Sequence, residues 1–182
     1  MKTVAVVGLS GVGKSTLIQQ AAMNIELLHL QASALIKLEQ EYRAGSVCTS
    51  EELRLGPVLD NQALMLAAFT RLTHGVRSLI VFDGHTIIDG AAGPISIPAN
   101  VFKALGCVKM VFLWNEPEVI AQRRNADYRR DRPALSPEVL RQHQELAERA
   151  GREICGELDI SLKVIKGTDR NAFQECLLDH HR

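Results

Sequence analysis

Gly8-Leu9-Ser10-Gly11-Val12-Gly13-Lys14-Ser15 decides the reading of this chain. The stretch follows directly on Thr3–Val7 (TVAVV), an apolar run rich in β-branched residues, and a helical pattern opens at Lys14. It matches GxxxxGK[ST], the phosphate-binding P-loop, in the strand-before and helix-after context that the motif requires. Glycines at 8, 11 and 13 let the backbone turn tightly and approach oxygen atoms without a Cβ in the way. The freed N–H groups form a nest for anionic oxygens at a helix N-terminus. Lys14 places a point charge between the β- and γ-phosphates of a nucleoside triphosphate. Ser15 offers its hydroxyl to Mg²⁺, and Thr16 reaches the α-phosphate. The candidate nucleotide-binding set is therefore Gly8, Ser10, Gly11, Val12, Gly13, Lys14, Ser15 and Thr16, with ATP as co-substrate. A glycine-rich turn without a ligand is the plain alternative, and the complete motif in this setting weighs against it.

Along the rest of the chain, short β-rich runs alternate with helical patterns, which predicts an α/β parallel sheet. Strands are expected at 3–7, 26–30, 78–82, 108–113 and 162–165. Helices are expected at 14–23, 32–43, 58–73, from 115–118 onward, at 136–155 and at 168–178. On 32–43, Leu35, Leu38 and Tyr42 share one side. Thr49-Ser50-Glu51-Glu52 has the form of a capping box and predicts a further helix start. Residues 84–98, rich in Gly and Pro, are expected to be a loop. With right-handed crossovers, five strands and their helices give a three-layer α/β/α domain spanning 1–182.

At 182 residues the chain suits one domain with an ample core. Lys plus Arg number 21 and Asp plus Glu number 21, so the formal net charge is zero. That balance argues against general binding to nucleic acid or to a membrane surface, both of which need excess positive charge. No stretch approaches the ~18 apolar residues of a membrane span. Cys48, Cys107, Cys155 and Cys176 form no CxxC pair. They read as reduced thiols in a cytoplasmic protein rather than as a zinc or disulfide framework. The expected partners are small-molecule nucleotides, with the oligomeric state left open.

Two more signals carry chemistry. Ile80-Val81-Phe82-Asp83 is an apolar strand ending in a carboxylate. In such a fold, Asp83 is placed to hold Mg²⁺ or its waters together with Ser15, as a Walker-B acid does. His85, two residues on, is placed to touch an acceptor or to hold the loop. The segment Arg123-Arg124-Asn125-Ala126-Asp127-Tyr128-Arg129-Arg130-Asp131-Arg132 holds five arginines against two acids. Charge runs are commonly solvated helix faces. Guanidinium groups also grip phosphate bidentately and never lose their charge, so they suit a transferring phosphoryl group. Residues 123–136 lie between two helices, where a closing lid would sit.

With these residues in place, the chain resembles the archaeal-type adenylate kinases of the P-loop nucleoside monophosphate kinase group. The resemblance rests on the P-loop, on LIVFDGHTIID from Leu79, on RRNADYRRDRP from Arg123, and on Leu140-Arg141-Gln142-His143-Gln144 with Glu148-Arg149. It implies strands in spatial order 2-3-1-4-5 and transfer of the γ-phosphoryl of MgATP to AMP. It implies an acceptor-binding segment at about 31–75, with Arg54 for the acceptor phosphate beside Asp83 and His85 as substrate-binding residues. It also implies catalytic roles for Lys14, Arg123, Arg130 and Arg132. The chain departs from the family at Gly84-His85-Thr86 and at Gly93–Pro98, where Ile95 and Ser96 stand in place of an aromatic and a leucine. A kinase for another small metabolite and a non-catalytic ATP-binding module therefore stay open. A guanine-nucleotide switch is disfavoured, because no NKxD motif follows.

Overall fold

The computed structural model describes residues 2–44, 58–90, 93–126, 135–167 and 169–179. Strand β1 (Thr3–Val7) is buried at every position, as a run with no polar face must be. It pairs in parallel with β3 (Leu79–Asp83) on one side and β6 (Cys107–Trp114) on the other. Strands β2 (Leu27–Gln31) and β7 (Ser161–Lys166) close the edges, so the sheet runs β2-β3-β1-β6-β7. Counted as the five main strands in chain order, this is the expected 2-3-1-4-5. The registers Val6↔Asp83, Gln31↔Asp83 and Val7↔Phe112 bring the carboxyl ends of four strands to one edge. Ligands bind at that edge of such sheets, where successive crossovers diverge.

Helix α1 (Lys14–Ala22) buries Lys14, Leu17, Ile18 and Ala21, a one-face spacing. Helices α2 (Ala32–Ala44) and α3 (Val58–Thr73) pack on each other between β2 and β3. On α2 the expected apolar side needs correction. Leu35 is buried, but Leu38 is 44% and Tyr42 71% exposed. The second buried position belongs to Glu39, whose carboxylate accepts from Arg43 Nε at 2.7 Å and Arg71 Nη2 at 3.2 Å. Two guanidiniums answer the cost of burying the charge. Tyr42 instead supplies a ring face to Arg71, 4.5 Å from its centroid.

Residues 84–98 also differ from the expected loop. They contain an antiparallel hairpin, β4 (Ile87–Gly90) with β5 (Gly93–Ser96), paired at Ile88↔Ile95. Gly93, at φ +118°, supplies backbone that other residues rarely adopt. A short helix α4 (Ala99–Ala104), which the sequence pattern does not predict, follows, with Val101 and Phe102 in the core. Helix α5 (Pro117–Ala126) and helix α6 (Pro137–Leu158) flank residues 127–134. Ser136 caps α6 by accepting the Val139 N–H. The last helix, α7 (Arg170–Leu178), is capped by Asp169. The helix expected from Thr49, along with Arg54, Arg130, Arg132 and Cys48, lies outside the described residues. Cys107, Cys155 and Cys176 carry free thiols, and burial pushes Cys107 up to about 12 and Cys155 to about 11. Among the described residues, no helix is long and apolar enough to cross a membrane.

Candidate active site

The loop between β1 and α1 turns on three glycines at positive φ: Gly8 at 140°, Gly11 at 89° and Gly13 at 111°. Lys14 begins α1 and is 6% exposed. Its Nζ donates to Gly8 O at 2.9 Å and Leu9 O at 3.2 Å, and stands 3.8 Å from Asp83 Oδ1. Ser15 Oγ donates to Asp83 Oδ2 at 2.7 Å. The sheet register thus brings the strand-end carboxylate onto the first turn of α1, as the sequence predicts. Asp83 is buried. Burial alone would raise its pKa, but His29, Lys14 and the Ser15 hydroxyl more than offset this and hold it below the usual carboxylate range. Thr16 is exposed on the same turn.

His85 reaches back to the loop, its Nδ1 2.7 Å from Gly8 O. A carbonyl only accepts, so Nδ1 carries the proton and Nε2 keeps its lone pair. Burial and the Lys14 charge push the imidazole down to about 3, so it is neutral at pH 7. His29, on β2, places Nε2 3.5 Å from Asp83 Oδ2.

Two arginines of the run, Arg123 and Arg124, lie on α5. Arg123 Nη1 donates to Val12 O at 2.8 Å, and Arg124 Nε donates to Ser10 O at 2.9 Å. Both are outer carbonyls of the loop. In a trans peptide the C=O and the following N–H point opposite ways. Holding Ser10 O and Val12 O toward α5 therefore turns the Gly11 and Gly13 N–H groups the other way, onto the loop's own concavity. The structure thus brings together Gly8, Ser10, Gly11, Val12, Gly13, Lys14, Ser15, Asp83, His85 and Arg123. It adds Arg124, His29, Asn115 and Gln144, which no sequence motif marks as site residues. Arg124 belongs to the arginine run, Asn115 signals only a helix start in the sequence, and Gln144 enters there only through the family resemblance.

Ser15 Oγ and the Asp83 carboxylate are hard oxygen donors 2.7 Å apart at the mouth of an anion nest. That donor set fits Mg²⁺. A lysine inside the nest and two arginines behind it leave the local balance cationic, suited to a polyphosphate.

Fold and site together define the P-loop kinase architecture. The chain belongs to the AAA domain family, whose model matches residues 7–141. It is 26% identical over 177 residues to an adenylate kinase of Pyrococcus furiosus, covering 96% of this chain and 90% of that protein. An adenylate kinase of Methanothermobacter thermautotrophicus is 25% identical over 168 residues, covering 91% and 90%. Among solved structures, a shikimate kinase from Acinetobacter baumannii in complex with shikimate aligns with TM-score 0.62 at 17% identity, over 97% of this chain and 90% of that one. A gluconokinase from Sinorhizobium meliloti aligns with TM-score 0.53 at 18% identity, over 98% and 90%. At these identities the structural likeness is one of fold.

Proposed function

We propose that the protein is an ATP-dependent phosphotransferase that moves the γ-phosphoryl of MgATP to a nucleoside monophosphate, AMP foremost. The observation that carries this reading is the Lys14–Ser15–Asp83 constellation inside the glycine loop. In the free protein the Lys14 ammonium rests on the Gly8 and Leu9 carbonyls, and phosphate oxygens would replace them. Mg²⁺, when held by Ser15 and Asp83, supplies charge neutralisation at the β- and γ-oxygens. Arg123 is close enough to the loop to exchange a carbonyl for a phosphate oxygen as charge shifts to the leaving group. Arg130 and Arg132 are proposed to join it from the segment expected as a lid.

The acceptor class follows from the bases present. Asp83 is held acidic by its neighbours, and His85 is pushed down to about 3, so both are weak bases at pH 7. An acceptor oxygen that is already ionised needs little proton removal, and a monophosphate offers one. The adenylate kinase relatives, matched over nearly the whole chain, support AMP. Transfer to a hydroxyl of another metabolite is the second reading, favoured by His29 of β2, whose imidazole stands beside the Asp83 carboxylate.

A coupled ADP-formation assay tests this, with MgATP against AMP, CMP, UMP, GMP, shikimate and gluconate. AMP is expected to give the highest kcat/KM. Turnover confined to a hydroxy acid would move the assignment to the second reading. Tight MgATP binding with no product from any acceptor would make the protein a binding module. Lys14→Ala is expected to lower kcat by about 10²-fold or more while the chain stays folded; full activity in that variant sinks the site.

A further inference from the structure

Behind the phosphate loop lies a polar chain that no part of the motif explains. Gln144, on α6, is fully buried. Its side-chain amide uses both ends on one residue: Oε1 accepts the Asn115 N–H at 3.1 Å and Nε2 donates to Asn115 O at 2.9 Å. Asn115 is the first residue past β6, whose last sheet partner is Trp114↔Lys166. Gln144 therefore pairs backbone groups that the sheet has just released, in the manner of one more strand. The Asn115 side chain is then fixed at both of its own ends. Oδ1 accepts the Glu116 N–H at 3.0 Å, and Nδ2 donates to Val12 O at 3.2 Å.

Gly167 closes the other side. Its N–H donates to Trp114 O at 2.7 Å. A Cβ there would stand 2.9 Å from Asn115 Nδ2 and 3.0 Å from Val12 O. The space around the Asn115–Val12 contact is thus filled to the last methyl. A second tie runs from α6 to the same region, since Thr86 Oγ1 donates to Ala147 O at 2.6 Å, next to His85 on the loop.

Val12 O now has two donors, Asn115 Nδ2 and Arg123 Nη1. They differ in kind. Asn115 is buried and held at both ends, whereas Arg123 comes from an exposed residue on a long, flexible stem. We propose that Gln144, acting through Asn115, is a positioning residue for nucleotide binding: it keeps the Val12–Gly13 peptide turned so that the Gly13 N–H faces the phosphates. Asn115 holds Val12 O permanently, and Arg123 is thereby free to leave that carbonyl for a phosphate oxygen.

This rests on the loop being a nucleotide site, and the experiment separates the two. MgATP binding to the full chain is measured by calorimetry. Steady-state kinetics with the best acceptor and thermal melts run alongside. Gln144→Met and Asn115→Leu are each expected to weaken MgATP binding by about tenfold, the scale set by a buried polar group left unpaired. The KM for the acceptor should stay within about twofold of wild type. A damaged fold would move both substrates together, but a relay to the loop moves only one. The double variant should bind no worse than the worse single, because both changes cut one chain. MgATP affinity unchanged in either folded single variant overturns the proposal, as do multiplying effects in the double or an equal rise in acceptor KM. If Gln144→Met fails to fold, Asn115→Asp carries the test. It keeps an oxygen for the Glu116 N–H and loses the donor for Val12 O, so the same tenfold loss is expected and unchanged binding overturns the idea. Failure of the wild-type protein to bind MgATP is a different result and strikes the nucleotide-site reading itself.

Discussion

A methyl group added at Gly8 would meet Leu113 O at 2.5 Å, inside van der Waals contact with backbone that belongs to the central sheet. Its φ of +140° is also one that L side chains rarely adopt. Neither strain can relax without moving β1 against β6. Gly8→Ala is therefore expected to lose at least about 2 kcal/mol of stability, read as a shifted denaturant midpoint. A wild-type midpoint would show that the loop is not seated as described. Gly13 contrasts in space alone, since its Cβ would meet only the tip of Arg123, at 3.0 Å, while its φ of +111° strains a side chain there as well. This residue scale is also where the sequence is most legible. Gly8 to Ser15 are contiguous, so their geometry is written locally. Asp83 could be read because a strand end beside the P-loop strand has one place to go. Asn115, Gln144 and His29 could not be read as site residues. Their partners lie far along the chain, with Asn115 103 residues from Val12 and Gln144 29 from Asn115, and only the closed fold juxtaposes them.

At the scale of elements, hydrophobic periodicity places all five main strands and most helices within a few residues. It fails where a polar residue takes a buried position by being paired. Helix α2 is the instance: a pattern of Leu35, Leu38 and Tyr42 says nothing of Glu39, because Arg71 comes from another helix. The hairpin at β4 and β5 was hidden for a different reason. Gly and Pro mark a turn without saying whether the flanks pair. Glu39 holds α2 to α3, and Arg43 and Arg71 keep its carboxyl below the usual glutamate range, the Arg43 hydrogen bond first. A lowered folded pKa means stabilisation that is present above the unfolded value and fades as pH falls through the folded one. Glu39→Gln is therefore expected to melt below wild type at pH 7. The gap should shrink once pH drops below the ordinary glutamate value of about 4.3. A gap independent of pH would assign the loss to packing. Helix α6 offers the opposite sign. Gly156 is exposed in mid-helix, and a Cβ there meets nothing within 4 Å. Gly156→Ala should stabilise the chain by about 0.5–1 kcal/mol, through helix propensity and a less disordered unfolded state. An unchanged or lower melting temperature would contradict the open surface described.

For the molecule as a whole, the site's electrostatics reach into folding through His85. The folded chain keeps this imidazole neutral until about pH 3, because burial and Lys14 oppose its charge. An unfolded histidine takes its proton near pH 6.5. Between those values the unfolded state binds one more proton than the folded state at this residue. Stability therefore falls as pH falls, by at most about 1.4 kcal/mol per pH unit, the limit for one proton. His85 is only partly buried, so the measured slope should lie below that limit. Asp83 adds to the loss only in more acid solution, since its own lowered pKa matters below the ordinary aspartate value of about 3.9. The window from about pH 6.5 to about 4 thus isolates the histidine among these two groups. His85→Asn keeps an N–H near the Nδ1 position for Gly8 O and has no proton to gain. Urea denaturation of both proteins at half-unit pH steps across that window should show a flatter dependence in the variant. Parallel curves would mean that His85 titrates in the folded protein as it does unfolded, near pH 6.5. It would then be a competent base at neutral pH, and the argument that the acceptor arrives already ionised would lose one of its two supports.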